Sequence, residues 1–229
     1  MTPIEGCPFV PRGKAAASFV GRREEVRLIV GQMDRDAPTS INVVGDRQMG
    51  KSSLLAYVTS SYESLLDRGN RVVVLYLSLQ GANCRDQMSF YQTLGRELLA
   101  LPKVSGRDEL ALSLRVSPFD GSAFEVAMRE WRTAGVLLVV CLDDFKELLD
   151  QRDRFDDGFY DNLRSLIGDH SVIFVIASDD ELNAYTKKKQ LTSDFFNVFQ
   201  STKLKNFSVG DANDLVRLPM GNPVLSEEK

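Results

Sequence analysis

The stretch Ser40-Ile-Asn-Val-Val-Gly-Asp-Arg-Gln-Met-Gly-Lys-Ser-Ser-Leu-Leu-Ala-Tyr-Val58 decides the fold. Its opening, 40–44, is a short β-branched run that reads as a strand, and its close, from Ser53, has the composition of a helix. Between them Gly45, Asp46, Arg47, Gln48, Met49, Gly50, Lys51 and Ser52 fit the pattern Gly-x4-Gly-Lys-[Ser/Thr]. The glycines let the backbone turn tightly around phosphate oxygens, so that successive N–H groups face negative charge. Lys51 is the residue to reach the β and γ phosphates, and Ser52 the one to ligate Mg²⁺. The helix beginning near Lys51 presents the positive end of its dipole to the same anion. The pattern alone arises by accident in roughly one chain of this length per hundred. The strand before it and the helix after it supply the context the motif demands. The stretch from Gly45 to Ser53 is therefore read as a site for a nucleoside triphosphate, ATP (or its product ADP) with Mg²⁺.

Working outward, apolar runs at 72–77, 136–142 and 172–177 read as strands buried on both faces, and 202–207 as a fifth, more polar one. Segments 24–33, 52–66, 87–101, 123–131, 159–167, 195–199 and 211–218 carry helical spacing or composition. Such alternation predicts an α/β fold, a mainly parallel sheet covered by helices. Segment 102–121 mixes Pro, Ser and Gly with weak periodicity and reads as an irregular excursion. We divide the chain into an extended arm at 1–18, a nucleotide-binding domain at 19–218 and, at 219–229, what is expected to be the start of a truncated C-terminal lid.

With 229 residues, 43% hydrophobic and 26% charged, the chain can bury a full core and lacks the signature of disorder. Its net charge of −4 gives no general attraction to polyanions, so direct nucleic-acid binding is not expected. The short basic run Lys187-Lys188-Lys189 reads as a solvated loop. Cys7, Cys84 and Cys141 are odd in number and widely spaced, which fits a reducing cytoplasm better than a disulfide framework or a zinc site. No membrane span is expected.

The strand at 136–142 ends in Asp143-Asp144. In parallel sheets ligands gather at the carboxyl ends of strands, where Asp143 can hold Mg²⁺ through water; the competing use of the pair is to cap the helix that follows. Asp144 stands where a general base polarises attacking water, but its carboxylate is one methylene shorter than a glutamate. Ser178, after the strand at 172–177, faces either the γ-phosphate and its water or its own turn. Arg164 could stabilise transition-state charge or be an ordinary exposed helix arginine. His170 reads as a loop residue, and Trp131, Phe195 and Phe196 as core or partner contacts.

The ordered set of Phe19-Val20-Gly21-Arg22 before an acidic helix, Gly45 to Ser52, Leu142-Asp143-Asp144-Phe145, Asn162-Leu-Arg-Ser-Leu166, Ala177-Ser178 and Phe195-Phe-Asn-Val-Phe199 resembles the AAA-related STAND ATPases, which are P-loop NTPases. The resemblance covers about residues 8–220. It implies a three-layer sandwich with a five-stranded sheet of order 5-1-4-3-2. Ser178 would hold the sensor position, and Phe19, Val20, Gly21 and Arg22 would lie against the adenine. Relatives of this kind act as switches in signalling or bacterial defence, closed with ADP and assembling when ATP and a trigger bind. Asp144 departs from the usual glutamate and implies slow hydrolysis. A lid, sensor and effector domains and a homo-oligomer on activation are the partners implied, and Gly221-Asn-Pro223 only superficially matches the lid's Gly-x-Pro. The rival functions are an active ATPase motor or small-molecule kinase, and a nucleotide-independent scaffold. The intact Lys51 and Ser52 argue against the scaffold.

Overall fold

Five extended runs pair side by side in a computed structural model that describes residues 19–67, 69–80, 84–189 and 191–217, with side chains at 186–189 left aside. The arm at 1–18, Cys7, the side chains of Lys187 to Lys189 and the stretch 219–229 lie outside the described residues. In chain order the elements are α1 (Arg23–Met33), β1 (Ile41–Val44), α2 (Lys51–Leu65), β2 (Val72–Ser78), α3 (Gln87–Ala100), α4 (Pro102–Ser105), α5 (Asp108–Ala111), α6 (Gly121–Thr133), β3 (Leu137–Asp143), α7 (Lys146–Leu149), α8 (Asp157–Gly168), β4 (Val172–Ser178), α9 (Leu182–Lys189), β5 (Gln200–Lys203) and α10 (Val209–Arg217).

All four strand pairings are parallel and the order is β2-β3-β4-β1-β5. This is the 5-1-4-3-2 arrangement the resemblance implies, with the sheet wholly rather than mainly parallel. Side-chain alternation divides each central strand between two cores. Val72, Val74, Leu137, Val139, Cys141, Ile173 and Val175 pack with Leu54, Leu55 and Val58 of α2 and Ile29, Val30 and Met33 of α1. Val73, Leu75, Leu138, Val140, Leu142, Phe174 and Ile176 face α3, α6 and α8 and an aromatic cluster around Phe90, Phe159, Tyr160 and Phe195. A sheet with apolar side chains on both faces must be covered twice, and the three-layer sandwich follows.

Several segments differ from expectation: α7 and α9 form where no helix is expected, α9 taking in Lys187 to Lys189, which read as a loop, and the expected helix at 195–199 is a 3₁₀ turn at Asp194–Asn197. The fifth strand is Gln200–Lys203, earlier than 202–207 and mostly exposed. It is an edge strand placed by backbone bonds, Gln200 N to Ser40 O at 2.9 Å and Leu204 N to Val44 O at 2.8 Å, so hydropathy does not mark it. The excursion at 102–121 contains α4, α5 and a 3₁₀ turn at Leu112–Leu114, tied to the core by Trp131 Nε1, which donates to Leu110 O at 3.2 Å. Among the described residues no helix is long and apolar enough to cross a membrane.

Candidate functional site

The β1–α2 loop sits at the carboxyl end of the sheet because β1 stops at Val44, in register with Ser178 of β4. Gly45 N donates to Ser178 O at 3.2 Å and Met49 N to Asp46 O at 3.3 Å, closing a compact turn. The turn needs left-handed backbone at Gln48, φ 68°, and at Gly50, φ 87°. Glycine meets that demand at Gly50 without the steric cost a Cβ brings. Gly50 is also the N-cap of α2 and offers no side-chain cap, so the first amides of a helix of 15 residues are left for a ligand or water.

Across from the loop, β3 delivers Asp143, 4% exposed. Tyr76 of β2 donates its hydroxyl to Asp143 Oδ2 at 2.6 Å, and the amide of Asp144 donates to Oδ1 at 3.0 Å. Asp144 itself has φ 58°, a conformation Asp tolerates better than most residues. Lys51, Ser52, Ser53, Asp143, Asp144 and Ser178 all line one cleft of about 880 Å³, with Arg47, Gln48, Gln80 and Asp179 beside them. The cleft thus brings together the second half of the loop and both strand ends, whereas Gly45 and Asp46 border a separate cleft with Asp180 and Lys203.

Ser178 is 5% exposed. Its Oγ donates to Asp180 O at 2.6 Å and accepts from Asn42 Nδ2 at 2.7 Å, so the hydroxyl serves its own turn while the residue lines the cleft. Asn42, fully buried in β1, also receives the Leu182 amide on Oδ1 at 3.1 Å and thereby fixes the exit of β4. The one signal for it in the sequence is a polar residue inside an all-buried strand. Tyr76 and Asp179 carry no local signal of their roles.

Phe19, Val20, Gly21 and Arg22 form a partly buried segment leading into α1. Phe19 stacks on Tyr57 of α2 at 4.1 Å between ring centroids. Arg22 donates to Met49 O of the loop at 3.0 Å and to Lys205 O at 2.6 Å, with its guanidinium 4.4 Å over the Phe207 ring. Arg164 lies elsewhere: it is half exposed, 3.7 Å from Asp161, in a separate cleft with Pro38, Thr39 and His170 at the amino ends of the strands. Trp131, Phe195 and Phe196 are core.

The donor set suits a phosphate with a small hard cation: uncapped helix amides, one lysine, one hydroxyl and one buried carboxylate. Among the described residues no group of three or more His, Cys, Asp or Glu is gathered for a metal. Mg²⁺ does not require one, since it is usually held by one or two protein groups, substrate phosphates and water.

A parallel sheet of this order with this loop defines the P-loop NTPase class. Residues 35–227 match the model of the family described as Novel STAND NTPase 2, and the chain belongs to that family. Among solved structures it is similar to the Walker-type ATPase paby2304 of Pyrococcus abyssi, with TM-score 0.62, 12% identity and coverage of 92% of this chain and 60% of that one. It is also similar to the Aeropyrum pernix ORC2 protein in ADPNP-ADP complexes, with TM-score 0.60, 14% identity and coverage of 91% and 53%. A third is the Aeropyrum pernix ORC1 protein in complex with DNA, with TM-score 0.59, 14% identity and coverage of 93% and 52%. At these identities the likeness is one of fold, and the chain spans little more than half the length of the two ORC proteins. No curated protein matches the sequence.

Proposed function

We propose that this domain binds ATP or ADP with Mg²⁺ over the loop from Gly45 to Ser53 and serves as the nucleotide switch of a signalling or defence protein, with slow hydrolysis. The observation that carries the reading is the meeting of Lys51, Ser52 and Asp143 on one cleft beneath the uncapped start of α2. The loop amides would hold the phosphates, Lys51 would neutralise them, and Ser52 and Asp143 would hold the cation. Mg²⁺, when bound, supplies charge neutralisation between phosphate oxygens. Phe19 to Arg22, resting on α2 and on the loop carbonyl of Met49, would form the base side of the site. Asp144 would polarise water from a shorter side chain than glutamate, and misplacement by about 1 Å costs on the order of 100-fold in rate, which favours slow turnover. The lid, sensor and effector regions, and self-assembly on activation, belong to the same proposal through family membership.

Calorimetric titration of ATP and ADP, with and without Mg²⁺, into the intact chain and into Lys51→Ala tests it. We expect Mg²⁺-dependent binding that Lys51→Ala weakens by about 100-fold, the loss of a charge-assisted contact to phosphate. Equal affinity in the two proteins would remove Lys51, and with it this reading of the loop.

A further inference from the structure

The ammonium of Lys51 carries three hydrogens, and each has an acceptor inside the protein. Nζ donates to Gly45 O at 2.5 Å, to Asp46 O at 3.0 Å and to Asp179 Oδ1 at 2.9 Å. Two acceptors are neutral carbonyls of the loop itself. The third is a carboxylate from the end of the neighbouring strand, β4. The lysine side chain is 13% exposed and that of Asp179 43%, so the pair is partly withdrawn from water on the lysine side only.

Asp179 is held by a rigid turn. Gly45 N donates to Ser178 O at 3.2 Å, and Ser178 Oγ, itself held by Asn42, donates to the carbonyl of Asp180 at 2.6 Å, so the backbone on both sides of Asp179 is tied down. The carboxylate is therefore presented to Lys51 at small entropic cost, which separates it from the usual surface pair. Asp143, Asp144 and Glu147 line the same cleft, as do the cations Arg47 and Lys146, so with Lys51 and Asp179 it holds four acids against three bases. A phosphate oxygen approaching Lys51 meets an acceptor of its own charge already on the ammonium.

Resting on the nucleotide reading above, we propose that Asp179 belongs to the phosphate site and sets its affinity: its carboxylate occupies the Lys51 ammonium in place of a phosphate oxygen, so that nucleotide binding exchanges one anion for another. The class of ligand affected is defined by which phosphates reach Lys51. Diphosphate and triphosphate nucleotides compete with Asp179, whereas a monophosphate does not extend that far. The exchange also makes the cation matter, since Mg²⁺ offsets part of the repulsion that the polyphosphate meets in this cleft.

Titration of ATP, ADP and AMP into the intact chain, Asp179→Asn, Asp179→Glu and Lys51→Ala distinguishes the possibilities. Asp179→Asn should bind ATP and ADP about three- to tenfold tighter, the scale of a partly exposed ion pair plus removal of like charge. AMP should be unaffected, and Asp179→Glu should stay within about twofold of the intact chain. Unchanged or weaker ATP binding by Asp179→Asn overturns the inference. So does an equal gain for AMP, because that reports a general loosening rather than competition at Lys51. If the intact chain binds ATP, Lys51→Ala loses it and Asp179→Asn is unchanged, the inference falls alone. If Lys51→Ala binds as well as the intact chain, the nucleotide reading falls and takes the inference with it.

Discussion

Asp143 has both carboxylate oxygens engaged, Oδ2 by the Tyr76 hydroxyl at 2.6 Å and Oδ1 by the Asp144 amide at 3.0 Å. Tyr76 lies opposite Cys141 in the β2–β3 register, with Ser78 opposite Asp143, so the tyrosine and the carboxylate share one face of the sheet. Removing such a partner frees the rotation of a metal-holding carboxylate and typically costs 10- to 100-fold in metal affinity. Tyr76→Phe keeps the ring and deletes the donor. We expect it to require about tenfold more Mg²⁺ for half-maximal nucleotide binding while leaving Mg²⁺-free binding unchanged, as read by titration over a Mg²⁺ series. An unaltered Mg²⁺ requirement would reduce Tyr76 to a packing residue. Lys51, Ser52 and Asp143 were legible because their signals are local: a spaced motif, and an acid ending an apolar run. Tyr76, Asn42 and Asp179 were not, because each acts on a group 67, 136 or 128 residues away and that pairing exists only once the strands are in register.

At the level of elements, α3 and the excursion after it are fitted together at two glycines, Gly95 against Phe119 and Gly121 against Tyr91. A Cβ on Gly95 would stand 2.7 Å and 2.9 Å from ring atoms of Phe119, closer than such atoms can approach. Phe119 is itself wedged against Phe124 of α6 at 6.3 Å between centroids, so the ring has little room to retreat. Gly95→Ala gains up to about 1 kcal/mol of helix propensity but forces overpacking that costs about 1–3 kcal/mol. The expected outcome is a net loss on the order of 1 kcal/mol in urea unfolding, and a rise in stability would mean that Phe119 yields freely. Periodicity located the long helices to within two residues because their apolar stripes face a core. It missed the short α7 and α9, and also α4 and α5, each a single turn whose place is decided by contacts with Trp131 and with the turn before β2 rather than by pattern. It misplaced β5 for the complementary reason, an exposed edge strand having no buried face to advertise.

For the whole molecule, alternating runs imply an α/β sandwich, but strand order is not contained in periodicity and came only from the resemblance. What the complete fold adds is a pH range of stability set by side chains far from the cleft. Among the described residues several carboxylates lie below their ordinary values: Asp157 through the Thr192 hydroxyl, Glu63 through Lys103, Asp86 through the Ser89 amide and Glu109 through Arg107. In a further one, Asp169, burial works upward but is outweighed by Ser171 and Arg129. A depressed folded value means the unfolded chain takes up protons first, so the stability these groups give is present above their unfolded values of 3.8 and 4.5 and is lost as pH falls through the folded ones. On the alkaline side burial pushes Cys84 up to about 11 and Cys141 up to about 12 from an ordinary 9.0. Burial raises Tyr91 and Tyr160 as well. Raised folded values keep these groups protonated, so that contribution is present below the unfolded values and fades as pH climbs through the folded ones. The thermal midpoint should therefore hold a plateau from about pH 5 to about pH 8.5, fall on the acid side with the carboxylates and fall on the alkaline side with the buried thiols and phenols. Asp157→Asn should lower the neutral midpoint and flatten the acid limb, because it removes one proton-linked group without touching either core. A midpoint that drops between pH 5 and pH 8.5 in the intact chain, or an acid limb unchanged in Asp157→Asn, would place the controlling groups elsewhere.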